Sequence, residues 1–228
     1  MNAINLIKGW LMLRKRKPNY EKSLYFSKVK KGFSVLDLGA NHGYFSSIFA
    51  QLVGPNGSVH CFEPIPENIK LLEEKVRDFQ FVKVNQLAVG NQQEKMPMTY
   101  STDELEKASL VEKPSSNDLK TINIEITSID YYLLNNHLEK LDFIKCDVEG
   151  YELNAIEGMQ STLQNHKPQL SIEISIPIKQ RKILFNLLMS FGYDLFRKIE
   201  KGFPSFDPSM EIPDDHYFYL YAASSLVT

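Results

Sequence analysis

The chain has 228 residues, of which 43% are hydrophobic, and its 26 lysines and arginines nearly balance its 28 aspartates and glutamates. A chain of this length and apolar content can build a well-packed domain, which excludes a largely disordered protein. Charged residues interrupt every apolar run well before the roughly 20 residues that a membrane-spanning helix requires. The 2 cysteines are too few for a disulfide framework, so we expect a reduced, cytoplasmic protein.

Positive charge is concentrated at the amino-terminal end of the sequence. Residues 1–31 contain nine lysines and arginines and one acid, so this segment carries +8 and leaves −10 on the rest of the chain. Apolar residues recur at helical spacing from Ile4 to Leu11, before a run of four basic residues. We therefore predict a basic amphipathic helical extension over residues 1–31. This helix either packs on the main domain or contacts the inner surface of a membrane through residues 1–17.

Residues 32–228 alternate short apolar runs with stretches of helical periodicity, which is typical of a parallel sheet covered by helices. The predicted strands are residues 33–38, 58–62, 81–84, 121–126, 141–146, 169–176, 193–199 and 217–222. The predicted helices are residues 44–53, 66–79, 128–137, 151–163 and 178–191. The polar stretch 91–120 contains one short strand candidate, 96–100, and otherwise predicts a surface excursion. The last two strands predict an antiparallel edge on a single doubly wound α/β domain.

The turn between the first strand and the first helix, Asp-Leu-Gly-Ala-Asn-His-Gly at residues 37–43, carries the first chemical signal. Gly39 and Gly43 let the backbone turn sharply beside a ligand, and the following helix directs its amides towards that ligand. Glu63 ends the next strand, 20 residues after Gly43. A carboxylate at this position can accept both hydroxyls of a ribose. The combination predicts a cofactor that contains adenosine.

Two features of this turn favour S-adenosylmethionine (SAM) over NAD. Asn41 stands where a bound pyrophosphate needs a glycine, and Asp37 would repel a diphosphate. SAM has no phosphate, and its ammonium group suits a carboxylate such as that of Asp37. The residues predicted to bind the cofactor are Asp37, Gly39, Asn41 and Gly43 at the methionine end, Glu63 at the ribose, and Ala88 and Val89 beside the adenine.

A second group of acids follows the strand predicted at residues 141–146. Asp147 and Glu149 stand at its carboxyl end, where open parallel sheets bind their ligands, and Lys145 shares a side of the strand with Asp147. Glu173 lies within the next apolar strand, so its carboxyl group needs a partner. We expect Glu173 to face the same cleft as Asp147. The alternative is a structural role for these acids, in a salt bridge with Lys145 or as a helix cap.

Four segments of the chain resemble the FkbM-type methyltransferases, namely residues 37–46, 62–68, 88–90 and 144–152. The Asp-Val-Glu-Gly block in the last segment is quite specific. The resemblance implies a Rossmann-like fold with a seven-stranded, mostly parallel sheet and an antiparallel C-terminal strand. It also implies a SAM-dependent O-methyltransferase of biosynthetic pathways, acting on a hydroxyl of a polyketide, a sugar, a glycoconjugate or a related small molecule.

For methyl transfer to a hydroxyl, the chain offers three candidate catalytic residues. Asp147 is predicted to be the general base or an electrostatic anchor, with Glu149 assisting and His42 as a second candidate base. Alternatively, Asp147, Glu149 and Glu173 bind Mg²⁺, which would acidify the hydroxyl. We favour the mechanism without a metal ion.

The expected partner is a small-molecule or glycan acceptor. No nucleic-acid partner is expected, because the charge of −10 outside the extension would repel a phosphate backbone. Residues 91–120 and 200–216, with Phe203, Phe206 and His216, are predicted to form the walls of the acceptor pocket. Three alternatives remain open at this point: a non-catalytic SAM-binding protein that recognises a partner, a nucleic-acid methyltransferase and an NAD-dependent oxidoreductase.

Overall fold

The computed structural model describes residues 19–101, 110, 118–214 and 216–222. The amphipathic segment predicted over residues 1–17 lies outside this range. The helices are α1 (Tyr20–Lys28), α2 (Tyr44–Val53), α3 (Pro66–Val76), α4 (Ile129–Asn136), α5 (Glu152–Glu157), α6 (Gln160–His166) and α7 (Ile178–Ser190). None of these helices is long and apolar enough to cross a membrane.

The strands form two sheets. They are β1 (Ser34–Leu38), β2 (Ser58–Phe62), β3 (Val82–Asn85), β4 (Ala88–Val89), β5 (Glu94–Ser101), β6 (Leu119–Thr127), β7 (Phe143–Cys146), β8 (Gln169–Glu173), β9 (Leu195–Lys198), β10 (Ser205–Phe206) and β11 (Tyr217–Tyr221). The main sheet has the order β10-β9-β11-β8-β7-β1-β2-β3, and the second sheet has the order β4-β6-β5.

The main sheet is the predicted Rossmann-like sheet. Strands β3, β2, β1, β7 and β8 are parallel, whereas β11 runs antiparallel to both β8 and β9. These seven strands confirm the predicted fold class with its antiparallel C-terminal strand. The two-residue strand β10 adds an eighth, which pairs antiparallel with β9.

Helices cover both faces of the main sheet because successive strand residues point to opposite sides. Leu36 and Ile144 face a core that includes residues of α4, α5, α6 and α7. Val35 and Phe143 face the other core, which is built with α1, α2 and α3. Tyr25 of α1 is fully buried there, with its ring packed edge-on against the rings of α2 and β7. Helix α1, which lies within the basic segment 1–31, therefore packs on the sheet.

The second sheet contains the strand candidate predicted at residues 96–100, which extends over the whole of β5. Strands β5 and β6 pair antiparallel along their whole length. Alternate side chains such as Met98 and Ile124 point to one side, where they pack on Ile65 and Ala88. The sequence shows this alternation, but the lysines and glutamates between the apolar residues weaken it. The tip between the two strands lies mostly outside the described residues.

The single helix predicted over residues 151–163 is two short helices, α5 and α6. The break falls at Gly158, which lies against the backbone of Gly90: a Cβ atom at position 158 would stand 1.9 Å from the carbonyl oxygen of Gly90. The close approach of the second sheet therefore shapes this segment. Apolar periodicity alone does not reveal such a contact.

Candidate functional site

A cavity opens at the carboxyl ends of the parallel strands β1, β2 and β7. It contains about 690 Å³ of space, including the part that is open to solvent. We call it the strand-end cavity. The residues that line it are Gly39, Asn41, Phe62, Glu63, Pro64, Ile65, Asn68, Leu87, Ala88, Val89, Met98, Leu110, Asp147, Val148, Glu149 and Tyr151.

The turn between β1 and α2 forms one wall of the cavity. Gly39 has a left-handed backbone with φ of 76°. A Cβ atom at Gly39 would stand 1.7 Å from the carbonyl oxygen of Asp147. Only glycine therefore fits at this close approach of the two backbone segments. Asn41 also has a positive φ of 49°, which asparagine tolerates better than most residues. Its side chain accepts a hydrogen bond from the amide of His42.

Glu63 and Asn68 form a pair of hydrogen-bond acceptors on the cavity wall. The Glu63 carboxylate accepts hydrogen bonds from the amides of Asn41 and Ile65, both at 3.0 Å, and from Asn68 Nδ2 at 3.1 Å. Burial raises the pKa of Glu63, and these three hydrogen bonds oppose that shift. Asn68 Oδ1 is buried and has no hydrogen-bond partner. The pair therefore retains acceptor capacity for a ligand that donates hydrogen bonds.

Asn68 is a candidate binding residue that the sequence analysis did not assign. It lies five residues after Glu63, within the first turns of α3, which begins at Pro66. Because Pro66 fixes where that helix starts, the spacing could have indicated that Asn68 turns back towards Glu63. Sequence alone does not show that its side-chain oxygen is left unpartnered.

The wall beyond Glu63 is apolar. Ala88 and Val89, both predicted beside an adenine, line the cavity together with Leu87, Met98 and Tyr151. They come from β4, from β5 and from the segment before α5. A slot lined by apolar side chains is suited to a flat, uncharged ring.

Acidic residues that follow β7 also line the cavity. Asp147 Oδ2 accepts a hydrogen bond from Lys145 Nζ at 2.9 Å, as the sequence predicted. Lys145 Nζ also lies 3.8 Å from Asp37 Oδ1. Burial alone would lower the pKa of Lys145, but the charges of Asp147 and Asp37 outweigh it and raise that pKa. Lys145 is therefore a permanently charged, buried ammonium group that holds Asp147.

Glu149 lines the cavity two residues further on. Its φ is 48°, a left-handed conformation that is uncommon for glutamate. The next amide, that of Gly150, donates to Glu152 Oε1 at 2.7 Å. Glu152 is fully buried, and it stabilises the turn that presents Glu149. Such strained turns are frequent at ligand sites.

Three residues predicted to serve the site lie elsewhere. Asp37 is fully buried within β1, where its Oδ2 accepts from Ser46 Oγ at 2.6 Å. Burial raises the pKa of Asp37, against the opposing effects of Lys145 and Ser46. Gly43 precedes α2 and packs against Leu72. His42 does not line the cavity, and its buried Nε2 has no hydrogen-bond partner.

Glu173 ends β8 beside Asp147, as the sequence predicted, but it does not line the cavity. Its side chain is hydrogen-bonded to those of Asp147 and Tyr217. Tyr217 is a second residue that the sequence analysis did not assign. No group of three histidine, cysteine, aspartate or glutamate side chains within the described ranges is placed to hold a metal ion. Asp147, Glu149 and Glu173 therefore do not form a preformed Mg²⁺ site.

The predicted walls of an acceptor pocket are only partly supported. The ring of Phe206 packs against Phe185 and Phe218 at centroid distances of 5.7 and 5.3 Å, so this residue belongs to the core. Phe203 also packs against buried residues. His216 lines a separate open cleft next to Tyr217. The prediction for Phe206 was wrong because its strand, β10, was not recognised.

The strand-end cavity fits the chemical groups of SAM. Glu63 and Asn68 offer acceptors for the two donors of a ribose, and the apolar wall suits adenine. Asp147 and Glu149 offer negative charge, which suits a sulfonium and an ammonium group. No lysine or arginine is among the described residues that line the cavity. A diphosphate such as that of NAD would find no cation among these described lining residues.

Curated proteins of similar sequence are methyltransferases. A protein-L-isoaspartate O-methyltransferase of Aeropyrum pernix is 32% identical over 83 residues, which cover 36% of this chain and 32% of that protein. The 2-O-methyltransferase NoeI of Sinorhizobium fredii is 24% identical over 142 residues, which cover 57% of this chain and 58% of that protein. The chain therefore spans about a third of the first relative's length and less than two thirds of the second's.

Solved structures show the same fold. The FkbM methyltransferase of Methylobacillus flagellatus superposes with a TM-score of 0.57 at 18% identity, covering 95% of this chain and 59% of that chain. Fibrillarin of Aeropyrum pernix, which was solved with natively bound SAM, superposes with a TM-score of 0.51 at 16% identity. The superposition covers 86% of this chain and 68% of that chain. At this level of identity, the similarity establishes the Rossmann-like methyltransferase fold.

The family model described as the methyltransferase FkbM domain matches residues 37–201, which is more than half of the chain. The match contains the turn after β1, the Glu63 and Asn68 pair, and Asp147 with Glu149. The chain therefore belongs to the FkbM methyltransferase family, as its motifs predicted.

Proposed function

We propose that the chain transfers the methyl group of SAM to a hydroxyl oxygen of a small-molecule or glycan acceptor. The observation that carries the proposal is the strand-end cavity, in which the Glu63 and Asn68 acceptors and the acids Asp147 and Glu149 line one space. When bound, SAM supplies a methyl group on a sulfonium, which is a good leaving group. The protein's contribution is then largely to bind and position the reactants.

Glu63 and Asn68 bind the ribose in this proposal. Three hydrogen bonds from the protein fix the Glu63 carboxylate, so it loses little freedom when a ligand binds. Each carboxylate oxygen can accept more than one hydrogen bond, and Asn68 Oδ1 has no protein partner. The ribose would therefore satisfy an acceptor that is otherwise left buried and unpaired.

Asp147 acts on the acceptor hydroxyl. Its carboxylate is hydrogen-bonded to Lys145, and side-chain exposure of 25% leaves it accessible from the cavity. It accepts a hydrogen bond from the hydroxyl and takes the proton as the oxygen becomes methylated. Positioning of the hydroxyl beside the methyl group is the main contribution that we assign to this residue.

An oxygen acceptor is supported by the names of the curated relatives, since both are O-methyltransferases. The charge of the site favours a neutral or cationic acceptor over a phosphorylated one, because Asp147, Glu149 and Glu173 lie close together. The net charge of −10 outside residues 1–31 acts in the same direction, against a nucleic acid.

The function is tested by incubating the protein with methyl-labelled SAM and a panel of hydroxylated sugars, glycans and polyketides. We expect label on an oxygen atom of at least one acceptor, identified by mass spectrometry and NMR. Label on a nitrogen or a carbon atom, or transfer to RNA alone, would contradict the proposal.

The assignment of the ribose site is tested by comparing Glu63→Gln with Glu74→Gln. Glu74 is an exposed glutamate on α3 and serves as the matched control. Loss of a charge-assisted hydrogen bond costs about 1.5–3 kcal/mol, so we expect Glu63→Gln to weaken SAM binding about 10- to 150-fold. Isothermal titration that finds equal affinity in both variants would exclude Glu63 from the ribose site.

A further inference from the structure

A row of polar side chains crosses three neighbouring strands beside the strand-end cavity. Asp147 directly follows β7, Glu173 ends β8, and Tyr217 begins β11. The strand register places them side by side, because Cys146 pairs with Ile172 and Glu173 pairs with Tyr217. Hydrogen bonds join Asp147 to Glu173 and Glu173 to Tyr217. The row therefore ends at a residue that lines the cavity.

The groups around the row indicate which residue is the donor and which is the acceptor in each hydrogen bond. Lys145 donates a hydrogen bond to Asp147 Oδ2 at 2.9 Å. Burial, the charge and hydrogen bond of Asp147 and the charge of Glu149 raise the pKa of Glu173 to about 8, although the hydrogen bond with Tyr217 opposes this. Glu173 is then the protonated member of the pair near neutral pH. Its carboxyl O–H donates to Asp147, and the Tyr217 hydroxyl donates to Glu173.

We infer that Glu173 and Tyr217 are positioning residues that hold the Asp147 carboxylate towards the acceptor hydroxyl. The inference rests on the proposed function, in which Asp147 receives the proton of that hydroxyl. Lys145 restrains Asp147 from within β7, and Glu173 restrains it from the adjacent strand. Two donors leave a carboxylate with further lone pairs, so Asp147 can still accept a hydrogen bond from the acceptor.

The exposure of the row distinguishes this role from simple support of the core. Tyr217 is 38% exposed, and it lines an open cleft together with Lys198 and His216. The side chain of Asp147 is 25% exposed. A row that only stabilised the sheet would not need to place two adjacent, partly exposed acids between two solvent-accessible openings, since like charges this close together repel each other.

The test compares kcat and the KM for SAM of wild type with those of Glu173→Ala, Glu173→Gln and Tyr217→Phe. Glutamine keeps a donor to Asp147 and alanine does not. We expect Glu173→Ala to lower kcat about 100-fold, as a misplaced reacting group does, with little change in the KM for SAM. Glu173→Gln should restore most of this loss, and Tyr217→Phe should give a smaller loss than alanine. Glu139→Gln, an exposed control on the loop after α4, should behave as wild type.

Two kinetic outcomes would overturn the inference. One is wild-type kcat in Glu173→Ala, and the other is a Glu173→Gln variant as impaired as Glu173→Ala. A wild-type protein that methylates no acceptor would contradict the proposed function instead, so the two failures are distinguishable. Infrared difference spectra test whether Glu173 carries a proton, and they do not require enzymatic turnover. Near neutral pH, wild type minus Glu173→Gln should show the C=O band of one protonated carboxyl group, and absence of that band would overturn the inference.

Discussion

The two ends of the strand-end cavity are built in different ways. At the ribose end, Glu63 and Asn68 lie within one short segment, and backbone amides fix the Glu63 carboxylate. At the acid end, Asp147, Glu173 and Tyr217 come from three segments far apart in the sequence, and strand pairing together with side-chain contacts brings them side by side. In the first arrangement, the backbone holds the carboxylate in place. The second depends on which acid carries a proton.

This difference matches the two tasks in the proposed reaction. A binding site for a common cofactor benefits from a preformed acceptor. A group that receives a proton must instead lie where its ionisation can be tuned by its neighbours. Changes at the two ends should therefore have separable effects: binding at the ribose end and turnover at the acid end.

The largest effect is expected from a substitution at Gly39, because this residue lies directly against the backbone of Asp147. In Gly39→Ala, the added Cβ would stand 1.7 Å from the carbonyl oxygen of Asp147, so both walls of the cavity must shift. We expect loss of detectable SAM binding in isothermal titration and a clearly lower Tm. Gly54→Ala is the matched control, since Gly54 also has a positive φ but has no atom within 4 Å of the added Cβ. Equal effects of the two substitutions would show that backbone strain alone is responsible.

At the acid end, Asp147→Asn should lower kcat about 100- to 10,000-fold, which is the usual contribution of a general base. The affinity for SAM should change little, because Glu63 and Asn68 are untouched. Turnover and equilibrium binding are measured on the same preparation, with the exposed Asp78→Asn as the control. Retained turnover in Asp147→Asn would remove this residue from the proposed mechanism.

A smaller effect is expected in the dependence of stability on pH. The pKa of Glu173 is raised from its usual value of 4.5 to about 8 in the folded protein. Between these values the folded protein retains a proton that the unfolded chain releases, so this group lowers stability as the pH rises from 5 to 8. The Tm of Glu173→Gln should therefore fall less than the Tm of wild type between pH 5 and 8. The difference should be about 2–4 °C for each kcal/mol that Glu173 removes from the free energy of unfolding. Parallel Tm curves for the two proteins would contradict the assignment.

Deletion of the amino-terminal extension is expected to have the smallest effect on the cavity. We propose that residues 1–17, which include five lysines and arginines, bind anionic membranes. Deleting them should weaken sedimentation with vesicles containing phosphatidylserine about tenfold or more and leave SAM binding unchanged. Vesicles of neutral lipid serve as the control. Equal binding of the full and the shortened chain to anionic vesicles would exclude this contact.

The ribose end could largely be predicted from the sequence because its signals are local. Gly39, Asn41 and Glu63 follow two consecutive strands, and the structure places all three on the cavity wall. Asn68 was missed because an unpartnered oxygen is a property of packing. Asp37 was expected at the ligand but is buried within β1. The sequence could not show that Lys145, on the neighbouring strand, would be its partner.

The acid end was harder to predict because strand pairing brings it together. The sequence indicated that Glu173 needs a partner near Asp147, and the structure places the two side chains in contact. It gave no reason to select Tyr217, since one tyrosine in a terminal strand rich in aromatic residues looks like any other. The register of β11 against β8 supplies that information.

The most direct measurement is titration of wild-type protein with SAM and, separately, with NAD. The acceptor pair at Glu63 and Asn68 and the absence of lining cations among the described residues predict saturable one-to-one binding of SAM. They predict no comparable binding of NAD. Tighter binding of NAD than of SAM, or no binding of SAM at all, would contradict the assignment of this cavity.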